Sequence, residues 1–307
     1  MAEISPPTLN AGSFHPRNWG AWLLISFMLG ISLLPHRLQH YLGLAIGRLG
    51  KRLLKSRVHI ARRNLHICFP EKSAVQREQL LEQCFIHLGH SVVDTANAWF
   101  WPKWRFAKHL HFEGLEHLEQ VRQKPGGILL LSAHFWTLES HARAFGVIDP
   151  GVGIYRPNKN QVYEYFQYHG RTRANKYLVD RTDVRGMIKA LKNGNAVWYA
   201  PDHDYGTHAA VFVPFFAQPN AATITGTATL ARVKNVQVLM SYALRNTDGS
   251  ITLVIEPAIE NYPAGDTKAD ARTINQAIEK AILRAPEQYM WIHRRFKSRP
   301  EGEPSVY

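Results

Sequence analysis

GGILLLSAHFWTLE, residues 126–139, changes from a strand pattern to a helix pattern at a histidine. Ile128 to Leu131 are four consecutive large apolar residues behind the turn signal Pro125-Gly126-Gly127, which reads as a buried strand. Phe135, Leu138, Ala142 and Phe145 then recur at helical spacing, predicting a helix over 135–145. His134 therefore sits at a strand-to-helix corner, with Glu139 five residues on. On an ideal helix the two would point about 140° apart, so they can meet only if His134 stays in the turn and Glu139 points back from the first helical turns. That pairing suits a general base whose second ring nitrogen is oriented by a carboxylate. The competing reading is a hydrogen-bonded capping histidine beside a solvated glutamate.

Outward from this corner the pattern alternates between short strands and helices. Helices are expected at 115–123, 161–169 and 183–192, and strands at 152–155, 177–179 and 196–200. Units of this kind make an α/β fold with a mainly parallel sheet flanked by helices. Ligands in such folds bind at the carboxyl ends of the strands. Polar residues next to predicted strands thereby become candidates: Arg156 after one strand, Arg171 and Arg173 before the next, and Asp202, His203 and Asp204 after Trp198-Tyr199. Arginines grouped there suit phosphate or carboxylate recognition; surface ion pairs are the alternative. Further on, 212–216 reads as an apolar loop, 222–233 as a helix, 236–243 and 251–255 as a hairpin-like strand pair, and 270–284 as a last helix.

Before residue 115 the character differs. Trp19 to Pro35 carries no charge and is led by tryptophans, as an interfacial or membrane segment would be. At about 1.5 Å per residue its length is near the lower limit for spanning, so an in-plane helix is the other option. A basic amphipathic helix follows over 42–54, then ARRNLHICFPE at 61–71. Ser73 and Gln76 make a capping-box pattern ahead of Leu81, Cys84, Phe85, Leu88 and Val92. Residues 1–70 hold nine Lys and Arg against one acid, Glu3, so +8 of the formal +13 lies there. A basic excess bordering an apolar segment favours an anionic membrane surface over nucleic acid. Eight of those cations follow the apolar segment and one precedes it, placing the main domain on the cytoplasmic side. With no repeats or low-complexity linkers, the chain divides into a tail and anchoring helix at 1–40 and a catalytic domain at 41–307.

With 307 residues, 45% of them hydrophobic, the chain can bury a large core. Two cysteines, Cys68 and Cys84, exclude a disulfide framework. Asp202, His203 and Asp204, or His109, His111 and Glu113, could suggest a metal, but no complete ligand set of known spacing occurs and none is expected. No cofactor motif stands out either. No GxSxG elbow occurs and no cysteine lies near a strand-end histidine, which favours a general base over a covalent nucleophile.

HPRNW (15–19), ARRNLHICFPE, AWFWP (98–102), HFWTLE, GIYRPN (153–158), GRTRANK (170–176), WYAPDHDYG (198–206), FVPFFA (212–217) and APEQYMWIHRRFK (285–297) together resemble the late acyltransferases of lipid A biosynthesis, most of all the lauroyl-transferring type. The resemblance is nearly full length. It implies a glycerolipid acyltransferase-like fold, a His134/Glu139 dyad, and further important polar residues at Arg171 and Asp202. In the wider glycerolipid acyltransferase superfamily an Asp usually stands where Glu139 does here. The implied reaction takes a fatty acyl group from acyl carrier protein to a hydroxyl of a Kdo-bearing lipid A precursor, Kdo2-lipid IVA, at the cytoplasmic face of the inner membrane. Arg294, Arg295 and Lys297 are then candidate contacts for the acidic carrier. A membrane-bound thioesterase or phospholipid acyltransferase with the same dyad, and a non-catalytic basic membrane-binding protein, are the alternative functions.

Overall fold

Residues 3–307 are described by a computed structural model. The chain opens with five helices, α1 (Trp19–Leu33), α2 (His36–Leu53), α3 (Lys55–Cys68), α4 (Ala74–Phe100) and α5 (Lys103–Ala107). The capping box forms as its sequence suggests: the Ser73 hydroxyl accepts from the Gln76 N–H, and the Gln76 side chain accepts from the Ser73 N–H. The alternating part follows as β1 (Leu110–Glu113), α6 (Leu115–Arg122), β2 (Ile128–Leu131), α7 (Leu138–Ile148), β3 (Gly151–Tyr155), α8 (Gln161–Thr172), β4 (Asn175–Asp180), α9 (Val184–Lys192) and β5 (Ala196–Tyr199). An antiparallel ribbon of β6 (Ala210–Phe215) and β7 (Gln218–Ile224) leads to α10 (Gly226–Ala231), β8 (Gln237–Arg245), β9 (Ile251–Ala258) and α11 (Thr267–Arg284).

Seven strands form one sheet in the order β1-β9-β8-β2-β5-β3-β4, parallel throughout except between β8 and β9. The α/β class, the parallel sheet and the hairpin-like last pair thus match the sequence expectation. All four side chains of β2 are buried, because helices cover both faces of the sheet. Leu129 and Leu131 face one core cluster with α9 and α11, while Ile128 and Leu130 face the other with α4 and α7.

Three expectations need correction. No helix among the described residues is long and apolar enough to cross a membrane. The 15-residue α1 instead packs Ile25, Met28 and Ile31 against the body of the protein beside α4 and α8, so the segment does not stand apart as an anchor. Residues 212–216 are strand and not loop, and the helix expected from residue 222 starts only at Gly226, after β7.

The α2–α4 crossing is unusually close. Gly43 and Gly47 on α2 meet Gly89 on α4 backbone against backbone: a Cβ on Gly89 would fall 2.7 Å from the Gly47 Cα, and one on Gly47 would fall 2.8 Å from the Ile86 Cα. Glycine is required here for approach, not for dihedral freedom.

Candidate active site

β2 and β5 are adjacent and parallel, with Leu131 opposite Tyr199. His134 and Asp202 each follow those partners by three residues, so the topology alone sets them side by side at the carboxyl ends of the strands. His134 Nδ1 lies 2.7 Å from Asp202 Oδ1, and the His134 backbone N–H donates to Oδ2 at 2.9 Å. The Tyr289 hydroxyl also donates to Oδ2, at 2.9 Å. Asp202 is fully buried. Burial by itself would raise its pKa, but the charge of His134, the neighbouring His203 and the hydrogen bonds from His134 outweigh it and hold the carboxyl below its ordinary range. The same contact and burial push the Tyr289 phenol well up, so it stays a donor.

Glu139 does not take the place expected for it. Residues 135–137 form a turn pinned by the bridge of Phe135 to Tyr289 and by the Trp136 N–H to Gln288 O bond of 2.9 Å, and α7 begins only at Leu138. Glu139 falls in the first turn of α7 and is engaged by Arg171 Nε at 3.0 Å and by Trp99 Nε1 at 2.9 Å. Burial opposes its charge, yet the Arg171 guanidinium and these hydrogen bonds lower its pKa. The ring nitrogen of His134 is therefore held by Asp202, and Glu139 ties α7 to α4 and α8.

His134 and Glu139 both line a cavity of about 820 Å³. Leu138, Ala142, Ile154, Leu178 and Trp198 supply an apolar portion of its wall, and Arg156, Arg181 and Lys297 supply cations. Of the sequence candidates, Arg156 is in this wall. Arg171 is too, but its guanidinium serves Glu139. Arg173 is not among the lining residues and points to the Trp101 carbonyl at 3.4 Å. Arg295 is buried, donating to Ala222 O at 2.7 Å, so it is no surface contact; Arg294 lines a separate groove with Lys55 and Arg57. Sequence reasoning missed Arg181, Tyr289 and His293. Arg181 follows a predicted strand as Arg156 does, and the same strand-end rule could have found it.

The imidazoles of His134, His203 and His293 are stacked in that order. Ring centroids are 3.6 and 3.8 Å apart and the planes within 13° and 11° of parallel. His134, Asp202 and His203 do offer three potential metal-ligating atoms within 4.8 Å of one another. Parallel rings, however, send their in-plane lone pairs alongside each other and not to one point, and Nδ1 of His134 already faces Asp202, so the set fits a metal poorly.

The site thus consists of an imidazole held on a buried carboxylate, in a cavity part apolar and part cationic. The family described as bacterial lipid A biosynthesis acyltransferase matches residues 9–298. The chain belongs to that family. It is 45% identical to the lipid A biosynthesis lauroyltransferase of Escherichia coli K12 over 302 residues, covering 98% of this chain and 99% of that protein. It is 43% identical to the palmitoleoyltransferase of the same organism, covering 95% and 96%. The E. coli lipid A biosynthesis myristoyltransferase is more distant, at 28% identity over 98% of this chain and 94% of that one. As a lipid A acyltransferase, the protein carries no candidate thiol nucleophile. Cys68 and Cys84 are buried, and burial drives the Cys84 thiol up to about 11 and Cys68 well above its ordinary value.

Proposed function

We propose that this acyltransferase moves a fatty acyl group, lauroyl in the first instance, from acyl carrier protein to a free hydroxyl of Kdo2-lipid IVA. The observation that carries the reading is the Tyr289–Asp202–His134 chain opening on a cavity with both apolar and cationic walls. His134 Nε2 removes the proton of the acceptor hydroxyl as its oxygen bonds to the thioester carbon. Asp202 holds Nδ1–H and stabilises the imidazolium. Collapse of the tetrahedral intermediate breaks the C–S bond, and the imidazolium returns the proton to the leaving thiolate. Glu139 and Arg171 keep α7 and α8 in register around the base. Arg156, Arg181 and Lys297 are free to meet phosphates of the acceptor or of the carrier's phosphopantetheine arm. Purified enzyme given lauroyl-carrier and the acceptor should yield an acceptor one lauroyl heavier by mass spectrometry, and His134→Ala should abolish it. Release of free laurate at the same rate with or without acceptor would instead make the protein a thioesterase.

The same reading seats the enzyme on the cytoplasmic face of the inner membrane. Trp19, Leu23, Phe27 and Leu33 form an exposed stripe on α1, and Leu38, Tyr41, Leu49 and Leu53 continue it on α2. Arg37, Arg48 and Arg52 flank this apolar surface, which suits in-plane insertion among anionic headgroups.

A further inference from the structure

Thioester attack leaves a negative charge on the carbonyl oxygen, and the chemistry needs a preorganised donor for it. The strand-end turn beside His134 supplies few free ones. The His134 N–H already points to Asp202, and the Phe135 N–H and Trp136 N–H are bonded to Ala133 O and Gln288 O. Stacked on the base are two further imidazoles, that of His203 and, behind it, that of His293. Nε2 of His203 is buried and has no hydrogen-bond partner among the described residues, and the same holds for Nε2 of His293. Both histidines line the cavity that holds His134. Leaving such nitrogens unmade is costly, and a phenylalanine would fill the same flat space without that cost.

We propose that His203 is a catalytic residue of this enzyme: its Nε2–H donates a hydrogen bond to the oxyanion formed when the thioester carbonyl is attacked, with His293 backing its ring. The inference rests on His134 being the base. The attacking oxygen and the oxyanion are bonded to one carbon. His203 is stacked on the base with ring centroids 3.6 Å apart, which sets its ring beside the carbon that carries both oxygens. No proton leaves His203; it gives a hydrogen bond that strengthens as charge develops and relaxes when the C–S bond breaks. Burial drives the His203 pKa down to about 2 against the opposing pull of Asp202, so the ring is neutral while His134 cycles through its imidazolium. Neutrality matters because two stacked imidazolium rings would repel, whereas a neutral imidazole can still polarise a carbonyl.

His203→Phe keeps the flat ring and loses the donor; His203→Gln loses the ring and keeps an N–H. With lauroyl-carrier and acceptor, His203→Phe should lower kcat about 10²- to 10³-fold at little-changed KM, and His203→Gln should recover about tenfold of that loss. A kcat for His203→Phe within about twofold of wild type assigns the ring to packing and overturns the proposal, as does a His203→Gln enzyme no better than His203→Phe. A measurement on the unsubstituted enzyme covers the case of a variant that does not fold. In nitrogen-15 histidine spectra, dodecylphosphonate, as an oxyanion mimic, should move the His203 Nε2–H proton downfield, and an unmoved resonance is equally fatal. The base reading fails on a separate result, unaltered kcat in His134→Ala, whatever His203→Phe does.

Discussion

Asp202 is fully buried and accepts from a backbone N–H, an imidazole and a phenol, so its charge is held by three fixed partners and it in turn fixes the His134 ring. An amide at that position offers the wrong atom to Nδ1–H or admits the wrong tautomer. Asp202→Asn is therefore expected to lower kcat by about 10² to 10⁴ with KM for the carrier nearly unchanged, measured by lauroyl transfer. Wild-type turnover in that variant would return the orienting role to Glu139. His134 is legible in the sequence because an apolar run stops at it. Asp202 is legible as a strand-end candidate, but its hydrogen bond to the His134 ring is not, because it lies 68 positions away and becomes a neighbour only through β5 lying next to β2. Spacing along the chain favoured Glu139, and the turn at 135–137 is what spoils that inference: it delays α7 and rotates the carboxylate towards Trp99 and Arg171.

At the scale of elements, the α2–α4 crossing and the outer faces of α1 and α2 divide two tasks. Gly47→Ala forces a Cβ against the backbone of α4, where no side chain can rotate away, and should cost at least about 1–3 kcal/mol, read as a lowered midpoint in urea. Leu23→Glu/Phe27→Glu touches only the exposed stripe. Each side chain is worth about 1.5–3 kcal/mol when buried, so partition onto anionic vesicles should weaken at least about 100-fold while the urea midpoint stays put. Unchanged sedimentation with vesicles would remove the membrane seat from α1. The strand–helix alternation of 115–200 could be read directly from hydrophobic period and turn residues. The β6–β7 ribbon could not: Pro214 within β6 and Pro219 within β7 are signals against strand, tolerated because a two-stranded ribbon has edges that need no further partners.

For the whole molecule, acid is the revealing variable. Burial lowers His87 to about 4, His90 and His141 to about 3 and His203 to about 2, so the native protein leaves these four rings neutral where the unfolded chain, near 6.5, would protonate them. The unfolded state then binds more protons below about pH 6.5, and stability falls as pH falls, by about 1.4 kcal/mol per pH unit for each such ring. The lowered carboxyl pKa values of Glu139 and Asp202 act in the same direction at still lower pH, where their protonation removes the stabilisation by Arg171 and His134. The urea midpoint should drop steeply between pH 6.5 and 4; a flat profile would mean that the histidines are charged in the folded protein. The glycine crossing has a different kind of consequence, one for the history of the sequence. When two bulky side chains collide, a second change on the facing helix can make room, and descendants drift together. Where Gly47 and Gly89 meet main chain to main chain there is no smaller residue left to try. A change at either position can have no local suppressor, and compensating mutations recovered in a genetic screen should map elsewhere, as general stabilisers of the domain.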